Sequence, residues 1–168
     1  QRTVEERMEA GKKLRVKCPR RSQETYKPST NRADPVSILE AQAKTRIQEL
    51  VPVRYARMLT SPFAFLRGAA AIMAADLAHG KTTGLQVQAC GDMHVANFGV
   101  FASAERNLIF GINDFDETLP GPWEWDLKRL VASFVVAARD LRHGDTVEET
   151  VCRQVVGAYQ QTMLECAE

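Results

Sequence analysis

The sequence is poor in the residues that build soft-metal and redox sites, with three histidines and four cysteines among 168 residues. The cysteines are Cys18, Cys90, Cys152 and Cys166, and no two of them form a C-x-x-C pair. This spacing argues against a zinc site or a thioredoxin-like redox motif. We therefore expect reduced, mostly buried thiols and a cytoplasmic protein.

The sequence also lacks a dominant charge and a long apolar run. Its net charge is +1, so no global field favours nucleic acid or a membrane as a partner. The longest apolar stretch, residues 69–75, is too short to span a bilayer, and no segment resembles a signal peptide. The sequence does not begin with Met and ends in a predicted helix, so we expect a piece of a larger protein.

Positive charge is nevertheless concentrated near the N-terminus. Residues 11–32 contain eight Lys or Arg against Glu24 alone, together with Pro19 and Pro28. This composition predicts a basic, flexible arm over residues 1–33, as either a flap that attracts phosphate or a solvated loop. We expect the folded catalytic segment to occupy residues 34–168.

Local signals predict helices in the first half of this segment. Asp34-Pro35 and Ser61-Pro62 are typical helix starts, because Asp or Ser caps the helix and Pro fits its first turn. We predict that the first helix runs to about Leu50 and the second to His79. A weak helix is also predicted for the first twelve residues.

A small β region follows, and helices then return. Residues 85–90 alternate between apolar and polar side chains, and residues 98–101 and 108–112 are short apolar runs, so we predict three strands. Helical periodicity predicts a buried helix from Trp125 to about Leu141, and Asp145 is predicted to cap a last helix. The expected fold class is α+β, mainly helical, with a β-hairpin region that carries polar turns.

Two polar segments beside the predicted strands contain the candidate chemistry. They are residues 91–99, GDMHVANFG, and residues 112–117, INDFDE. Carboxylates next to apolar strands are costly to bury without a partner, and Mg²⁺ prefers carboxylate and amide oxygens. Phosphoryl transfer needs a carboxylate to deprotonate the acceptor hydroxyl and oxygen ligands to hold metal against the nucleotide phosphates.

Three residues have the types and spacing that phosphoryl transfer requires. Asp92 is the candidate catalytic base, and Asn97 and Asp114 are candidate metal ligands. The predicted hairpin between Asn97 and Asp114 would bring their two turns together. Asp116 is a further candidate ligand, but Asp116 and Glu117 are equally well explained as a charged turn.

The same segments resemble those of known kinases. Residues 92–97 resemble the D-x-H-x-x-N catalytic loop of aminoglycoside phosphotransferases and choline kinases. Residues 113–115, Asn-Asp-Phe, resemble the metal-binding Asp segment of that group, the counterpart of D-F-G in protein kinases. The resemblance implies a kinase C-lobe-like segment, with Mg²⁺ and ATP as cofactors, a base at Asp92 and metal ligands at Asn97 and Asp114.

Two further residues match structural positions of these kinases, and two depart from the pattern. Asp126 resembles the later Asp that anchors the catalytic-loop backbone, and His94 resembles a histidine that hydrogen-bonds this backbone. Cys90 stands where aminoglycoside phosphotransferases usually have His, and Asp116 stands where protein kinases have Gly. Neither departure removes an oxygen ligand.

A closer resemblance, along most of the chain, is to an uncharacterised bacterial family, domain of unknown function 2252 (DUF2252). The matching strings are SPFAFLRG at 61–68, GDMHVANFG at 91–99, NDFDET at 113–118 and PGPWEWDLKRL at 120–130. Longer relatives resemble a rearranged kinase whose glycine-rich loop and nucleotide-clamping Lys lie downstream. Because this sequence has no G-x-G-x-x-G motif, we expect a fragment of a permuted kinase-like fold that lacks this clamp.

Two other functions stay open at this stage. A metal-dependent phosphohydrolase could use Gly-Asp-x-His and further Asp residues, although such sites usually contain several histidines, and the sequence has His79, His94 and His143. The segment could also be a non-catalytic, pseudokinase-like binding or scaffold module. Apart from the nucleotide, the expected partner is a hydroxyl-bearing acceptor, which the sequence does not identify.

Overall fold

Helices dominate the computed structural model, which describes residues 2–167. In this part of the chain, four strands form two separate two-stranded antiparallel sheets. The helices are α1 (Val4–Lys17), α2 (Pro35–Ala43), α3 (Val51–Met58), α4 (Pro62–Gly68), α5 (Ala70–Leu77), α6 (Trp123–Asp140) and α7 (Asp145–Glu165). The strands are β1 (Gln86–Ala89), β2 (Phe98–Ala102), β3 (Leu108–Ile112) and β4 (Leu119–Pro122). The α+β class is therefore confirmed.

The predicted cap at Asp145 is wrong, because this residue is the first of α7 and no side chain caps that helix. The helix starts predicted at Asp34 and Ser61 are present. The Asp34 carboxylate accepts a hydrogen bond from the Ser37 backbone N–H at 2.9 Å, and the Ser61 hydroxyl accepts one from the Ala64 N–H at 3.1 Å. Each of these bonds satisfies a backbone donor that has no partner within the helix. None of the described helices combines the length and apolar character needed to cross a bilayer.

The predicted extension of α2 to Leu50 is wrong, because the helix ends at Ala43. The Gln48 side chain donates hydrogen bonds to the Ala43 and Arg46 carbonyls at 2.8 and 2.9 Å. It thereby satisfies carbonyls that a continuing helix would have paired. A 3₁₀ turn over Gln48–Leu50 then leads directly into α3.

The single helix predicted after Ser61 is also divided, at Ala69. Two arginines from other parts of the chain bind the carbonyls where α4 ends. Arg129 donates to the Leu66 carbonyl at 2.7 Å, and Arg54 donates to the Gly68 carbonyl at 2.6 Å. These long-range bonds replace the intrahelical bonds that would have continued the helix.

The N-terminal basic stretch begins in a helix that is longer than we predicted. Helix α1 continues to Lys17, so residues 11–17 are helical and do not belong to an irregular arm. Arg32 forms an ion pair with Asp76 at 2.6 Å, and Gln23 donates to the Lys81 carbonyl at 2.9 Å. The flexibility of residues 1–33 stays a prediction.

The two sheets bring distant polar turns together. Strands β2 and β3 form the predicted hairpin, with Phe98 opposite Ile112. Strand β1 pairs with β4, with Gln86 opposite Pro122. We did not predict β4, because its prolines lack the N–H that a ladder needs; in a two-stranded sheet every strand is an edge, where proline is tolerated.

The core is small, and the most buried residues of α6 are not those that we predicted. The buried apolar cluster consists of Leu39, Met58, Ala69 and Ile72. The apolar residues of α6 that we predicted to be buried, among them Trp125, are only partly buried. The buried side chains of α6 are instead mostly polar or charged: Glu124, Arg129, Ser133 and Ala138. This helix therefore directs polar groups toward the loop that follows β1.

Candidate active site

The loop after β1 begins at a glycine that its neighbours require. Gly91 has a φ of +86°, a conformation that residues with a Cβ rarely adopt. A Cβ at this position would also lie 2.1 Å from the backbone oxygen of Glu117. The close approach holds the loop containing Asp92 against the β3–β4 turn that contains Asp114.

Helix α6 fixes the backbone of this loop at two points. The Asp126 carboxylate accepts hydrogen bonds from the Cys90 N–H at 2.7 Å and the Gly91 N–H at 3.1 Å. Four residues further on in the loop, the Ser133 hydroxyl accepts the Val95 N–H at 2.9 Å. The Asp126 contacts are of the kind that the kinase resemblance implies.

Asp92 is buried and paired with Arg129. The exposed fractions of Asp92 and Arg129 are 9% and 3%. Arg129 Nε donates to Asp92 Oδ1 at 2.6 Å, and Arg129 Nη2 contacts the same oxygen. Within residues 2–167, Asp92 Oδ2 accepts no hydrogen bond, and Asp92 lines an open cleft. One carboxylate oxygen is thus used to orient the group, and the other is available to a ligand.

His94 does not form the backbone hydrogen bond that we expected. Its Nε2 lies 3.6 Å from Asp92 Oδ2, and its Nδ1 is buried without a hydrogen-bond partner in the described chain. The ring meets Phe63 edge-on, with 6.3 Å between centroids. Burial lowers the pKa of His94, against the opposing charge of Asp92. The histidine therefore packs beside the carboxylate, while α6 holds the backbone.

Asn97 and Asp114 lie on adjoining turns. The Asn97 side-chain NH₂ donates to the Asp92 carbonyl at 2.7 Å, which leaves its amide oxygen without a hydrogen bond from residues 2–167. The Asn113 N–H donates to the Asn97 backbone carbonyl at 2.8 Å. Asp114, which is exposed, therefore directly follows a residue bonded to Asn97. Its Oδ1 accepts the Asp116 N–H at 3.2 Å.

The carboxylates of these turns repel one another. The pKa of Glu117 is raised, first by burial and then by the charges of Asp92, Asp114 and Asp116. Repulsion of this kind shows that the four groups share one electrostatic environment. A bound cation would relieve it.

A small, hard cation fits the available donors better than a soft one. Across residues 2–167, no three His, Cys, Asp or Glu side chains form a metal cage by themselves. The candidate ligands are one amide oxygen, from Asn97, and the exposed carboxylates of Asp114 and Asp116. Mg²⁺ is typically held by one or two carboxylates, with waters and substrate phosphates as the other ligands. The donor set is of that type.

All of the candidate catalytic and metal-binding residues line one cleft of about 950 Å³. Its acidic wall is formed by the two turns and contains Asp92, His94, Asn97, Asp114, Asp116 and Glu117. Its other wall is formed by the α2–α3 connection and by α3 and α4. Asp126 supports the acidic wall from behind, through the hydrogen bonds described above.

Sequence reasoning missed Arg129 and Ser133. With Asp126, they are spaced by three and four residues, which places them on one face of α6. This polar stripe, on a helix that periodicity predicted to be buried, was the available signal. A buried polar group needs a partner, so the stripe indicated a polar loop packed against the helix.

Comparison with known proteins gives one family match. The family described as "Uncharacterized protein conserved in bacteria (DUF2252)" matches residues 46–168. This range contains all of α6 and every residue that lines the cleft except Thr45. No curated protein and no solved structure matches the chain.

Proposed function

Since the chain belongs to the DUF2252 family, we propose that the cleft is the catalytic part of a kinase-like phosphotransferase site, which transfers the γ-phosphate of ATP to an acceptor hydroxyl. The observation that carries the proposal is that Asp92, Asn97 and Asp114, from two separate turns, line one cleft. The chain would then correspond to a kinase C-lobe, with the nucleotide clamp supplied from outside residues 2–167.

Asp92 acts as the base in this proposal. Its Oδ2 accepts the proton of the acceptor hydroxyl as the acceptor oxygen bonds to the γ-phosphorus and the bond from that phosphorus to the ADP oxygen breaks. Arg129 holds Oδ1, so the carboxylate cannot rotate away from the acceptor. Phosphoryl transfer needs little covalent chemistry from the protein, so the positioning of the acceptor hydroxyl is a main source of rate enhancement.

Asn97 and Asp114 would hold Mg²⁺ against the nucleotide phosphates, with Asp116 as a further ligand. When bound, the ion would neutralise charge on the transferring phosphoryl group. The pKa of Glu117 is raised first by burial and then by the charges of Asp92, Asp114 and Asp116, and this concentration of negative charge supports a cation at the wall. The roles rest on the donor chemistry of the side chains and on their position in one cleft.

A phosphohydrolase is less well supported. His94 is the one histidine of the described chain that lines the cleft, whereas hydrolases with two transition-metal ions usually need several histidine ligands. No observation specifically favours a scaffold role. The experiment below separates all three functions.

The test is ATP binding to the full-length protein, measured by calorimetry with and without Mg²⁺. We expect Mg²⁺-dependent binding that Asp114→Asn abolishes and that Asp145→Asn, an exposed aspartate outside the cleft, leaves unchanged. Equal binding by wild type and Asp114→Asn would refute the ligand role. Hydrolysis of p-nitrophenyl phosphate without nucleotide would favour the hydrolase, and absence of both activities would favour the scaffold.

A further inference from the structure

The wall formed by the α2–α3 connection, α3 and α4 carries several positive side chains among apolar ones. Four arginines line it: Arg46 from the α2–α3 connection, Arg54 and Arg57 from α3, and Arg67 from α4. In the described chain none of the four forms an ion pair. Unpaired arginines concentrated on one wall of a cleft are a typical arrangement for binding an anion.

The arrangement of these arginines is set by the fold. Arg54 and Arg57 are three residues apart on α3, so they lie on the same side of that helix. Arg54 is held by its hydrogen bond to the Gly68 carbonyl at 2.6 Å. Burial lowers the pKa of Arg54, and the charge of Arg46 lowers it further. The charges of Glu117 and Asp92 act in the opposite direction, so these arginines lie close to one another and also to the acidic wall.

The positive wall also reaches the candidate catalytic loop. Burial is the main cause of the lowered pKa of His94, and the positive charge of Arg67 adds to it. The charge of Asp92 is in turn felt at Arg54. A ligand that contacts the arginines would consequently lie next to the proposed base.

We propose that Arg46, Arg54, Arg57 and Arg67 bind the phosphate oxygens of a ligand in this cleft. The planar guanidinium group matches phosphate geometry with paired N–H donors. The cleft volume of about 950 Å³ is suited to a small phosphorylated molecule. The choice of phosphate over other anions rests on the proposed phosphotransferase function.

Phosphate oxygens could reach this wall from two sources. One is the polyphosphate of the nucleotide, so that the arginines contribute to a clamp in the absence of a glycine-rich loop. The other is an acceptor that already carries a phosphate group beside its hydroxyl. Both sources use the same contacts, and competition experiments distinguish them.

The test is binding of inorganic tripolyphosphate to the full-length protein in EDTA, measured by calorimetry. The decisive variant combines Arg57→Gln with Arg67→Gln, because both side chains are exposed and make no hydrogen bond within residues 2–167. Arg20→Gln with Arg21→Gln removes the same charge outside the cleft and is the matched control. Arg46→Gln is a milder variant that keeps the test informative if the double variant unfolds.

We expect the Arg57/Arg67 variant to bind tripolyphosphate about 100-fold more weakly, since each charge-assisted hydrogen bond lost weakens binding by roughly tenfold or more. Arg46→Gln should weaken binding by about tenfold on the same basis, and the control pair should bind within about threefold of wild type. Absence of binding by wild type, or equal weakening by the control pair, would overturn the proposal.

Further arms identify the source and separate this inference from the proposed function. Displacement of tripolyphosphate by ATP but not by glycerol 3-phosphate supports the nucleotide, and the reverse supports a phosphorylated acceptor. Asp114→Asn should bind tripolyphosphate normally in EDTA, because no metal is present. If the Arg57/Arg67 variant binds tripolyphosphate as tightly as wild type, while wild type still binds ATP in a Mg²⁺-dependent way, this inference alone is overturned. If the variant binds tripolyphosphate more weakly but ATP binding does not depend on Mg²⁺, this inference is supported and the metal site is refuted.

Discussion

Replacing Arg129 with methionine tests whether the buried ion pair with Asp92 organises the site. Methionine keeps most of the length of the side chain but removes its charge and all of its N–H donors. The change leaves the Asp92 carboxylate without its charged partner, at an exposed fraction of 9%. It also removes the 2.7 Å hydrogen bond to the Leu66 carbonyl where α4 ends.

The expected cost follows from the burial of both groups. Removing one member of a buried ion pair typically costs about 3–5 kcal/mol, because the remaining charge is left uncompensated. Domains of this size have a free energy of unfolding of about 5–15 kcal/mol, so Arg129→Met should be severely destabilising. Adding Asp92→Leu removes the uncompensated charge, and this double variant should recover at least about 2 kcal/mol.

Urea unfolding followed by circular dichroism measures these differences. Arg139→Met is the control, because Arg139 also pairs with a carboxylate, at 2.8 Å from Glu148, but its side chain is 66% exposed. We expect it to lose much less stability than Arg129→Met. The prediction is refuted if Arg129→Met lowers the free energy of unfolding by less than about 1 kcal/mol, or if the double variant recovers no stability. Either result would mean that removing Arg129 does not leave an uncompensated buried charge on Asp92.

Two further predictions concern the loop and the N-terminal segment. Gly91→Ala should destabilise the protein by more than about 1 kcal/mol, because Gly91 has a positive φ and is crowded by Glu117. Gly157→Ala should instead stabilise it by about 0.5–1 kcal/mol, because Gly157 lies in α7 with open space around it. Equal shifts of the melting temperature in the two variants would contradict this prediction. Hydrogen bonding to Arg32 lowers the pKa of Asp76 below its ordinary value of 3.8. The stability lost in Asp76→Asn, measured by urea unfolding across pH, should therefore be fully present above that value and vanish as the pH falls through the lowered pKa; a pH-independent difference would show that the pair does not form.

Local chemistry made the helix starts predictable and left their ends unpredictable. Ser61 caps α4 with its own side chain, which accepts the Ala64 N–H only three residues away. The start of the helix is therefore visible in the local sequence. The end of α4 depends instead on Arg54 and Arg129, which bind the Gly68 and Leu66 carbonyls. Periodicity in the apolar residues continues across Ala69, and it carries no information about arginines elsewhere in the chain.

The candidate site shows the same division. The types and spacing of Asp92, Asn97 and Asp114 could be found because each lies in a short polar turn beside a strand. Among the arginines of the opposite wall, the sequence suggested a phosphate contact for Arg67 alone, and a surface or salt-bridge role was favoured even there, because arginine is mostly exposed in proteins. Only the packing of α3 and α4 against the acidic wall distinguishes them from ordinary surface charges.

The two halves of the acidic wall differ in how firmly they are held, and this difference bears on metal binding. Asp92 and Asn97 are buried, and their loop is fixed by hydrogen bonds to α6. Asp114 and Asp116 are exposed, and the hydrogen bond between them lies within their own turn. An exposed turn can adjust at low energetic cost, whereas a buried, hydrogen-bonded loop cannot. A divalent ion would consequently gain much of its affinity from the phosphates of a bound ligand, so Mg²⁺ alone should bind more weakly than Mg²⁺ with ATP.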